Sequence, residues 1–448
     1  MSNRILQNYI GLSPSVGSNN RYAYQARNGK KRKPAFTMLN HLGEFLSNDF
    51  FGWFIHDWRV KHPFPYPRTL DKVHDIPSGQ ESTEPIVIAV AADWATDTPQ
   101  SEFIGDAMSR KNPDYTIHLG DTYFSGTKEE MGNNFGNGIE GIGKWPRGKS
   151  GSFALIGNHE MFSSGLEYLN MITDNKRKFG ICDPETGLFS GQKAPCFCLR
   201  NEHWLILGLD TGYQSLKTGI LRFNPNNSQL KFPDSVYDWV KQTVLEPNEK
   251  RGIIVLTHHQ YVTAFHGESE FINPARQLKS LLPDTQGIIW IWGHEHRFAM
   301  YGKNEIPAAV PAYGRCIGNG GMPDEHIPSR YVIPKEAVNR KLVLYDKRTA
   351  DRIPLIEGAD FPKRDVGFNG YALIKLNHAH AEITYYASYM KNEAGDPERD
   401  EAVFRETWEA DRTAGQIRCK ETIDLTSGKS DGNRISYFGP SDPARVSK

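Results

Sequence analysis

Short runs of apolar, often β-branched residues recur through the middle of the chain, separated by stretches with the apolar spacing of helices. The runs cover residues 86–92, 115–119, 153–156, 204–209, 253–256 and 288–292. Almost unbroken apolar runs of this length are typical of strands that are buried on both faces. Residues 101–110, 234–240 and 274–282 have helical spacing. The alternation predicts an α/β domain with buried strands.

The two ends of the chain differ from this middle region, and we divide it at residues 84 and 390. Residues 1–84 contain an aromatic cluster at 50–58 and a Pro-rich stretch at 62–67, which cannot continue a helix. This extension is either a helical arm packed on the main domain or a lid or partner-binding surface. Residues 371–376 and 381–386 are predicted to form a hairpin. Residues 391–448 are charged with weak periodicity, which predicts a C-terminal appendage.

Residues 126–151 interrupt the regular pattern with a Gly-rich segment of low apolar content. It contains Lys144, Arg147 and Lys149. Long loops inside compact domains are usually functional or disordered. Two interpretations therefore stay open, a substrate-facing loop and a solvated insertion.

Composition narrows the class of protein. The chain has 53 basic and 53 acidic residues, so no excess of cations favours a nucleic-acid or anionic-membrane binder. Its five cysteines, an odd number in a long chain, do not suggest a disulfide framework. Cys196 and Cys198 are separated by one residue and no second pair follows, so we expect ordinary buried thiols rather than a zinc site. The start of the chain lacks the features of a signal peptide, and no apolar run reaches the roughly 20 residues that span a bilayer. We expect a cytoplasmic protein without a membrane span.

Polar residues follow each of the six apolar runs. They are Asp93, Gly120-Asp121, Gly157-Asn158-His159-Glu160, Asp210-Thr211-Gly212, Thr257-His258-His259 and Gly293-His294-Glu295-His296. Ligands collect at the carboxyl ends of strands in α/β sheets, so these segments are predicted to converge on one site. Carboxylate, amide and imidazole ligands suit Mn, Fe, Zn or Mg ions. His294 and His296 would point to opposite sides of an extended segment, so they need a turn or two metals on different sides.

These motifs, in this order, resemble those of the calcineurin-like metallophosphoesterase superfamily, which includes purple acid phosphatases and phosphodiesterases. The resemblance covers roughly residues 85–390. It implies an α/β fold in which a two-sheet β-sandwich is flanked by helices, here with N- and C-terminal extensions. It also implies two divalent or trivalent metal ions at one edge of the sandwich.

The resemblance assigns a role to each matching residue. Asp121 would bridge the two metals. Asp93 and His296 would complete one half of the centre, and Asn158, His258 and His294 the other. His159 would contact the phosphate or protonate the leaving oxygen, so His159 and Asp121 are the expected catalytic residues. His259, Asp210 and Tyr213 are weaker candidates for substrate or supporting contacts, and residues 318–321 could approach the site through their backbone.

One position departs from the family pattern. Ala95 occupies the place of a metal-binding His in the sequence Asp93-Trp94-Ala95. Purple acid phosphatases also lack this His and use a Tyr three residues after the bridging Asp. That position is Phe124 here, while Tyr123 lies two residues after Asp121. Either Tyr123 replaces the missing ligand or this half of the centre has only three protein ligands and binds its metal more loosely.

The resemblance implies hydrolysis of a phosphomonoester or phosphodiester by a hydroxide that the two metals activate. The expected substrate is a small phosphoester or a nucleotide, and nucleic acid is not favoured. A different class of function is a degenerate scaffold, in which weak metal loading leaves a binding module. In either case residues 1–84 could bind a protein partner.

Overall fold

The computed structural model describes most of the chain from residue 65 onward. The described ranges are 65–78, 84–96, 98–123, 126–136, 145–215, 229–265, 268–283, 287–322, 339–354, 363–389, 399–426, 436–437 and 446–447. The aromatic cluster at 50–58 and the positions of Phe124 and Lys144 lie outside these ranges. Among the described residues, no helix is long and apolar enough to cross a membrane.

Strands dominate the described structure. In chain order they are β1 (Val73–Asp75), β2 (Ile86–Ala91), β3 (Tyr115–His118), β4 (Gly151–Ala154), β5 (Gly180–Ile181), β6 (Phe197–Arg200), β7 (Trp204–Gly208), β8 (Gly252–Thr257), β9 (Ile288–Trp292), β10 (Phe298–Asn304), β11 (Ala312–Ile317), β12 (Leu342–Tyr345), β13 (Asp351–Pro354), β14 (Lys363–Val366), β15 (Asn369–Asn377), β16 (His380–Tyr389), β17 (Arg399–Asp411), β18 (Gln416–Asp424), β19 (Ser436–Tyr437) and β20 (Val446–Ser447). All six apolar runs form strands, as predicted.

Helices are fewer and shorter. They are α1 (Pro99–Arg110), α2 (Lys128–Glu130), α3 (Asn158–Met161), α4 (Leu166–Thr173), α5 (Asp234–Trp239) and α6 (Ile272–Lys279), with π-helical turns at Met131–Phe135 and Val240–Val244 and a 3₁₀ turn at Asn175–Arg177. The longest, α1, begins where the sequence favours it. Thr98 and Ser101 form a reciprocal capping box, and Pro99 occupies a first-turn position where its missing N–H costs nothing.

The described strands form two large mixed sheets and one small one. The first sheet has the order β1-β6-β7-β8-β9-β11-β10-β12-β19. The second has the order β20-β18-β17-β16-β15-β2-β3-β4-β5, and β13 pairs only with β14. Strands β7, β8, β9 and β11 run parallel in the first sheet, and β2, β3 and β4 run parallel in the second.

The two large sheets pack face to face, with helices on the outer faces. The central core mixes side chains from both sheets, such as Ile88 and Phe153 from the second and Ile254 and Ile291 from the first. A second core lies between the first sheet and helices α5 and α6, and a third between the second sheet and helices α1 and α4. This is the predicted sandwich flanked by helices.

Parts of both predicted extensions belong to this sandwich. In the N-terminal one, β1 pairs in parallel with β6, and Asp71 and Ile76 are buried. In the predicted C-terminal appendage, β17 and β18 continue the second sheet beyond the predicted hairpin of β15 and β16. The reason is visible in β17, where alternate residues such as Phe404 and Trp408 are buried against the core. Residue 390 is therefore not an edge of the sheet.

Candidate metal centre

The loops that follow β2, β3, β4, β8 and β9 meet at one edge of the sandwich. Three of their polar residues have a left-handed backbone, with φ of 55° at Asp93, 72° at Asp121 and 63° at His294. This conformation costs a non-glycine residue about 1–2 kcal/mol. Such strain persists only where the surroundings enforce it, and it clusters at functional sites. The strained positions thus coincide with residues that the sequence assigned to a metal centre.

Tyr123 lies at the centre of one group of candidate ligands. Its hydroxyl is 2.7 Å from Asp93 Oδ1 and 2.9 Å from His296 Nε2. It is also 3.3 Å from Asp121 Oδ2, and His296 Nε2 lies 3.4 Å from Asp93 Oδ1. Burial and the carboxylates of Asp93 and Asp121 raise the pKa of Tyr123 well above its usual range. The Tyr123 hydroxyl therefore lies among the predicted ligands Asp93, Asp121 and His296. The methyl side chain of Ala95 offers no ligand atom there.

Asp121 touches both groups of candidate ligands. Its Oδ2 faces Tyr123, while its Oδ1 lies 3.3 Å from His258 Nε2 and accepts a hydrogen bond of 2.9 Å from the backbone N–H of His159. Burial opposes ionisation of this carboxyl, but the facing imidazoles of His258 and His159 hold its pKa well below the usual range. Asp121 is thus a buried carboxylate whose two oxygens point to opposite sides, as a bridging ligand requires.

The second group contains Asn158, His258 and His294. His258 Nε2 lies 3.1 Å from Asn158 Oδ1, and the rings of His258 and His294 are 5.2 Å apart. The other ring nitrogen of His258 lies 3.0 Å from the backbone carbonyl of Leu119. A ring nitrogen that donates to a carbonyl leaves the opposite nitrogen free for a metal, which is the usual arrangement of a ligating histidine.

The charges in this second group are balanced by a proton. Burial alone would lower the pKa of His258, but the carboxylates of Asp121 and Asp93 raise it to about 9. Burial and the charge of His258 lower the pKa of His294 to about 3. A bound cation would occupy the place of that proton, because metal ligands must be deprotonated.

His294 and His296 serve different groups. The backbone N–H of His294 donates to Asp93 Oδ2 at 2.8 Å, and its ring lies beside those of His258 and His259. The ring of His296 lies beside Tyr123 instead. The predicted turn is present, and the two imidazoles are directed to two sides of Asp121, as a two-metal interpretation needs.

His259 comes closer to the site than the sequence indicated. Its backbone N–H donates to Thr211 Oγ1, its Nδ1 lies 3.1 Å from the same oxygen, and its ring is 4.6 Å from that of His294. Burial and the neighbouring imidazoles lower its pKa well below the usual range. His259 is therefore a neutral imidazole beside the second group. In the sequence, the position of His259 directly after His258 was the feature that pointed to this role.

Glu160 holds two loops of the site together through hydrogen bonds, a role that the sequence analysis did not predict. Its Oε2 accepts hydrogen bonds from the backbone N–H groups of Asp121 at 3.2 Å and Gly157 at 2.8 Å. Burial and the charge of Asp121 raise its pKa to about 7. One carboxylate thus connects the loop after β3 with the loop after β4. Its place in the motif Gly157-Asn158-His159-Glu160 was the available signal.

Two glycines allow these loops to approach each other. A Cβ on Gly157 would lie 2.7 Å from the backbone nitrogen of Asp121 and would overlap the Asp121 carboxylate. A Cβ on Gly120 would lie 2.7 Å from the nitrogen of Gly157, and Gly120 has a φ of 104°. Larger residues would separate the loops, so glycine is required at both positions.

His159, the predicted general acid, is buried beside Asp121 and between the rings of Tyr123 and Phe162. Its Nε2 lies 3.8 Å from Asp121 Oδ2, and its ring is 4.4 Å from that of Tyr123 and 5.3 Å from that of Phe162. It therefore lies within one water molecule's reach of the candidate ligands.

Two basic residues of the Gly-rich segment lie away from the centre. Arg147 is turned inward, donating to the carbonyls of Arg177 and Trp145 and lying over the Phe179 ring, and Lys149 pairs with Asp114. Both precede β4, at the opposite edge from the site, so neither contacts a substrate there. Asp210, a weaker candidate, is buried, and its Oδ1 accepts a hydrogen bond from the backbone N–H of Tyr213. This bond stabilises the turn at residues 210–213.

The donor set fits hard or borderline metal ions. Ligand atoms of Asp93, Asp121 and His258, and likewise of His258, His259 and His294, lie within 4.8 Å of one another. Oxygen and nitrogen ligands bind such ions at about 2.0–2.2 Å, so donors around one ion lie about 3 Å apart. The separations of 2.7–3.4 Å around the Tyr123 hydroxyl match this spacing. Cysteine is absent from both described groups.

Comparison with known proteins shows which family the site-bearing region is similar to. Residues 86–298 match the family model of the calcineurin-like phosphoesterases. This span contains every residue of both groups, so both lie in the part of the chain that is similar to that family. A comparison with curated proteins gave no match.

Several solved structures are similar at low identity. They include GAP50, the anchor in the inner membrane complex of Plasmodium (11% identity, 71% of this chain and 88% of that chain, TM-score 0.42). Another is the purple acid phosphatase PPD1 from yellow lupin (Lupinus luteus) seeds (12%, 78% and 56%, TM-score 0.41). A third is PhoD (10%, 75% and 72%, TM-score 0.46). At this level of similarity we draw no functional argument from them.

Proposed function

We propose that this protein is a metal-dependent phosphoester hydrolase with a dinuclear centre. The observation that carries the proposal is the position of Asp121. Its two carboxylate oxygens face two separate groups of ligand atoms, one around Tyr123 and one around His258. The match of residues 86–298 to the family model of the calcineurin-like phosphoesterases supports phosphoester hydrolysis as the reaction.

Two sets of residues would hold the ions. Asp93, His296 and Tyr123 would share one with Asp121. Asn158, His258 and His294 would share the other with Asp121. Bound ions would supply charge neutralisation for the phosphate and a water nucleophile of lowered pKa. Tyr123 supplies the oxygen that replaces the imidazole missing at Ala95.

The chain's own residues organise the reaction around these ligands. Glu160 fixes the two loops that carry Asp121 and Asn158, so the ligands need little rearrangement. The Leu119 carbonyl orients His258. His159, whose Nε2 is 3.8 Å from Asp121 Oδ2, protonates the leaving oxygen when the substrate lies across the centre. A small phosphomonoester or phosphodiester, including a nucleotide, is the proposed substrate.

Hydrolysis of generic substrates tests the proposal. The purified chain, loaded in turn with Mn²⁺, Zn²⁺, Mg²⁺ or iron, is assayed with an aryl phosphomonoester and a bis-aryl phosphodiester. The same assays are run on Asp121→Asn and on a control, Asp106→Asn, which changes an exposed Asp on helix α1. We expect metal-dependent hydrolysis by the wild type and the control, and at least a 100-fold loss in Asp121→Asn.

Two outcomes would contradict the proposal in different ways. A folded wild type that hydrolyses neither substrate with any metal would favour the alternative, a degenerate scaffold that binds without catalysis. Full activity of Asp121→Asn would show that hydrolysis occurs elsewhere in the chain. The ratio of the two ester activities then decides between phosphomonoesterase and phosphodiesterase.

A further inference from the structure

The segment 318–322, which follows β11, lies directly on the backbone of Asp93. The backbone N–H of Gly320 donates to the carbonyl of Ala92, and that of Met322 donates to the carbonyl of Asp93, each at 3.0 Å. The N–H of Asp93 in turn donates to the carbonyl of Gly120 at 3.1 Å. Asp93 is therefore held on both sides of its peptide unit, which explains how it keeps a φ of 55°.

The glycines of this segment permit the approach. A Cβ on Gly320 would overlap the carbonyl oxygen of Ala92, and one on Gly321 would overlap that of Trp94. A Cβ on Gly318 would overlap the carbonyl oxygen of Glu295, between His294 and His296. The segment is thus packed against backbone atoms of two ligand-bearing loops, and backbone cannot yield as a flexible side chain would.

Hydrogen bonds to the start of β15 hold this segment in place, among them one from the backbone N–H of Gly370 to the carbonyl of Asn319. Asn369 lies on β15, the strand that pairs with β2. Its side-chain amide nitrogen donates to the carbonyl of Asn319 and to that of Met322, each at 2.9 Å. The side chain of Asn319 returns a bond of 2.9 Å to the carbonyl of Phe368. An Asn side chain has two N–H donors, and here each serves one end of the segment. Because β15 belongs to the second sheet and β11 to the first, Asn369 joins the two sheets at the site.

The segment also supports Tyr123. Met322 and Tyr123 are both buried and form a small apolar cluster of their own, beside the Tyr123 hydroxyl that faces Asp93. Asn369, Met322 and the Asp93 backbone therefore form one continuous line of contacts. It ends on two ligands of the same group, Asp93 and Tyr123. It reaches the second group through one hydrogen bond, from the backbone N–H of His294 to Asp93 Oδ2.

We infer that Asn369 is a positioning residue for one half of the metal centre, the half formed by Asp93, Tyr123 and His296. The inference rests on the proposed two-metal function. It assigns to Asn369 the task of holding segment 318–322 against Asp93 and Tyr123, so that their oxygens stay close enough to share one ion. The half that lacks the usual histidine is thereby held by a contact from β15, the strand that pairs with β2.

Metal titration of Asn369→Asp tests this inference. The substitution keeps the size of the side chain, removes both N–H donors and places a negative charge against two carbonyls. Asn377→Asp is the matched control, since Asn377 is exposed at the far end of the same strand. Zn²⁺ or Mn²⁺ binding is followed by calorimetry for the wild type and both variants, and metal-dependent hydrolysis is measured in parallel.

We expect two binding steps in the wild type and in Asn377→Asp. In Asn369→Asp one step should weaken by about 10–100-fold, the loss typical when a supporting partner of a metal ligand is removed. The other step should weaken far less, because one backbone hydrogen bond from His294 connects it to Asp93, and its retention also demonstrates that the variant is folded. The metal concentration for half-maximal activity should rise by the same factor, while kcat at saturating metal returns close to that of the wild type.

The outcomes separate this inference from the proposed function. Two unchanged steps in Asn369→Asp, or an equal weakening of both, would overturn the positioning role and leave the two-metal proposal standing. A folded wild type that binds no metal would overturn both. If Asn369→Asp does not fold, Gly320→Ala takes its place, since its Cβ would press on Ala92 beside Asp93 and the same single-step loss is expected.

Discussion

Replacing Tyr123 by Phe removes one hydroxyl from the middle of the candidate centre and leaves the ring in place. The hydroxyl lies 2.7 Å from Asp93 Oδ1, 2.9 Å from His296 Nε2 and 3.3 Å from Asp121 Oδ2. The ring itself packs on His159 and Met322. Because Phe retains that packing, the change isolates the contribution of the oxygen.

The magnitude follows from those contacts. In the metal-free protein, the hydroxyl donates its one proton to a buried carboxylate, and such a bond contributes about 1.5–3 kcal/mol. We expect Tyr123→Phe to lower the free energy of unfolding by that amount. In the loaded protein, one of four ligands is lost from one half of the centre, so its metal affinity should fall by at least the roughly 10–100-fold typical of a lost supporting partner.

The assay combines metal binding with absorption spectroscopy. Calorimetry should show one weakened step and one unchanged step. With Fe³⁺, the wild type should have a visible phenolate-to-metal charge-transfer band that Tyr123→Phe lacks. Tyr385→Phe is the matched control, because its hydroxyl donates to the buried carboxylate of Glu406 at 2.7 Å and has no described contact with a candidate ligand. That control should lose similar stability and bind metal normally.

Either of two results would refute this reasoning. The iron-loaded wild type could show no such band, or Tyr123→Phe could bind both metals with unchanged affinity. In both cases the hydroxyl would be a hydrogen-bonding partner of Asp93 and not a ligand.

Three further predictions concern stability and loop packing. Glu406→Gln leaves the buried Arg315 without its carboxylate partner and should cost about 3–5 kcal/mol in urea unfolding, whereas a change under about 1 kcal/mol would contradict this. Burial raises the pKa of Asp71 to about 6, so ionisation of this carboxyl destabilises the fold as pH rises from about 4 to about 6. Asp71→Asn should therefore add up to about 3 kcal/mol at pH 8 and nothing at pH 4, and an equal effect at both would refute the assignment. Gly157→Ala, whose Cβ would press on Asp121, should abolish binding of both metals in metal analysis, and two retained ions would contradict the packing argument.

Much of the fold could be predicted because its central strands are buried on both faces. Such strands, β8 and β9 among them, have almost unbroken apolar sequences, so the sequence pattern alone identifies them as strands. Strands β17 and β18 were missed because they mix charged and apolar residues. In β17 one side is covered more fully than the other, so Glu406 and Trp408 are buried between half-buried neighbours.

The candidate site was predictable to the extent that its residues follow strands. That position identified Asp93, Asp121, Asn158, His258 and His294. Spacing along the chain could not show where the Tyr123 hydroxyl points, because the turn after β3 decides it. The support from Asn369 was invisible for a different reason. It comes from a strand almost 280 residues further along the chain than Asp93, through contacts with backbone carbonyls that residue type alone does not predict.

Anomalous X-ray scattering from crystals of the metal-loaded protein tests the central claim most directly. The account predicts two peaks, one on each side of the Asp121 carboxylate. One should lie among Asp93, Tyr123 and His296, and the other among Asn158, His258 and His294. A single peak on one side of Asp121, or peaks that do not involve Asp121, would contradict the two-metal account.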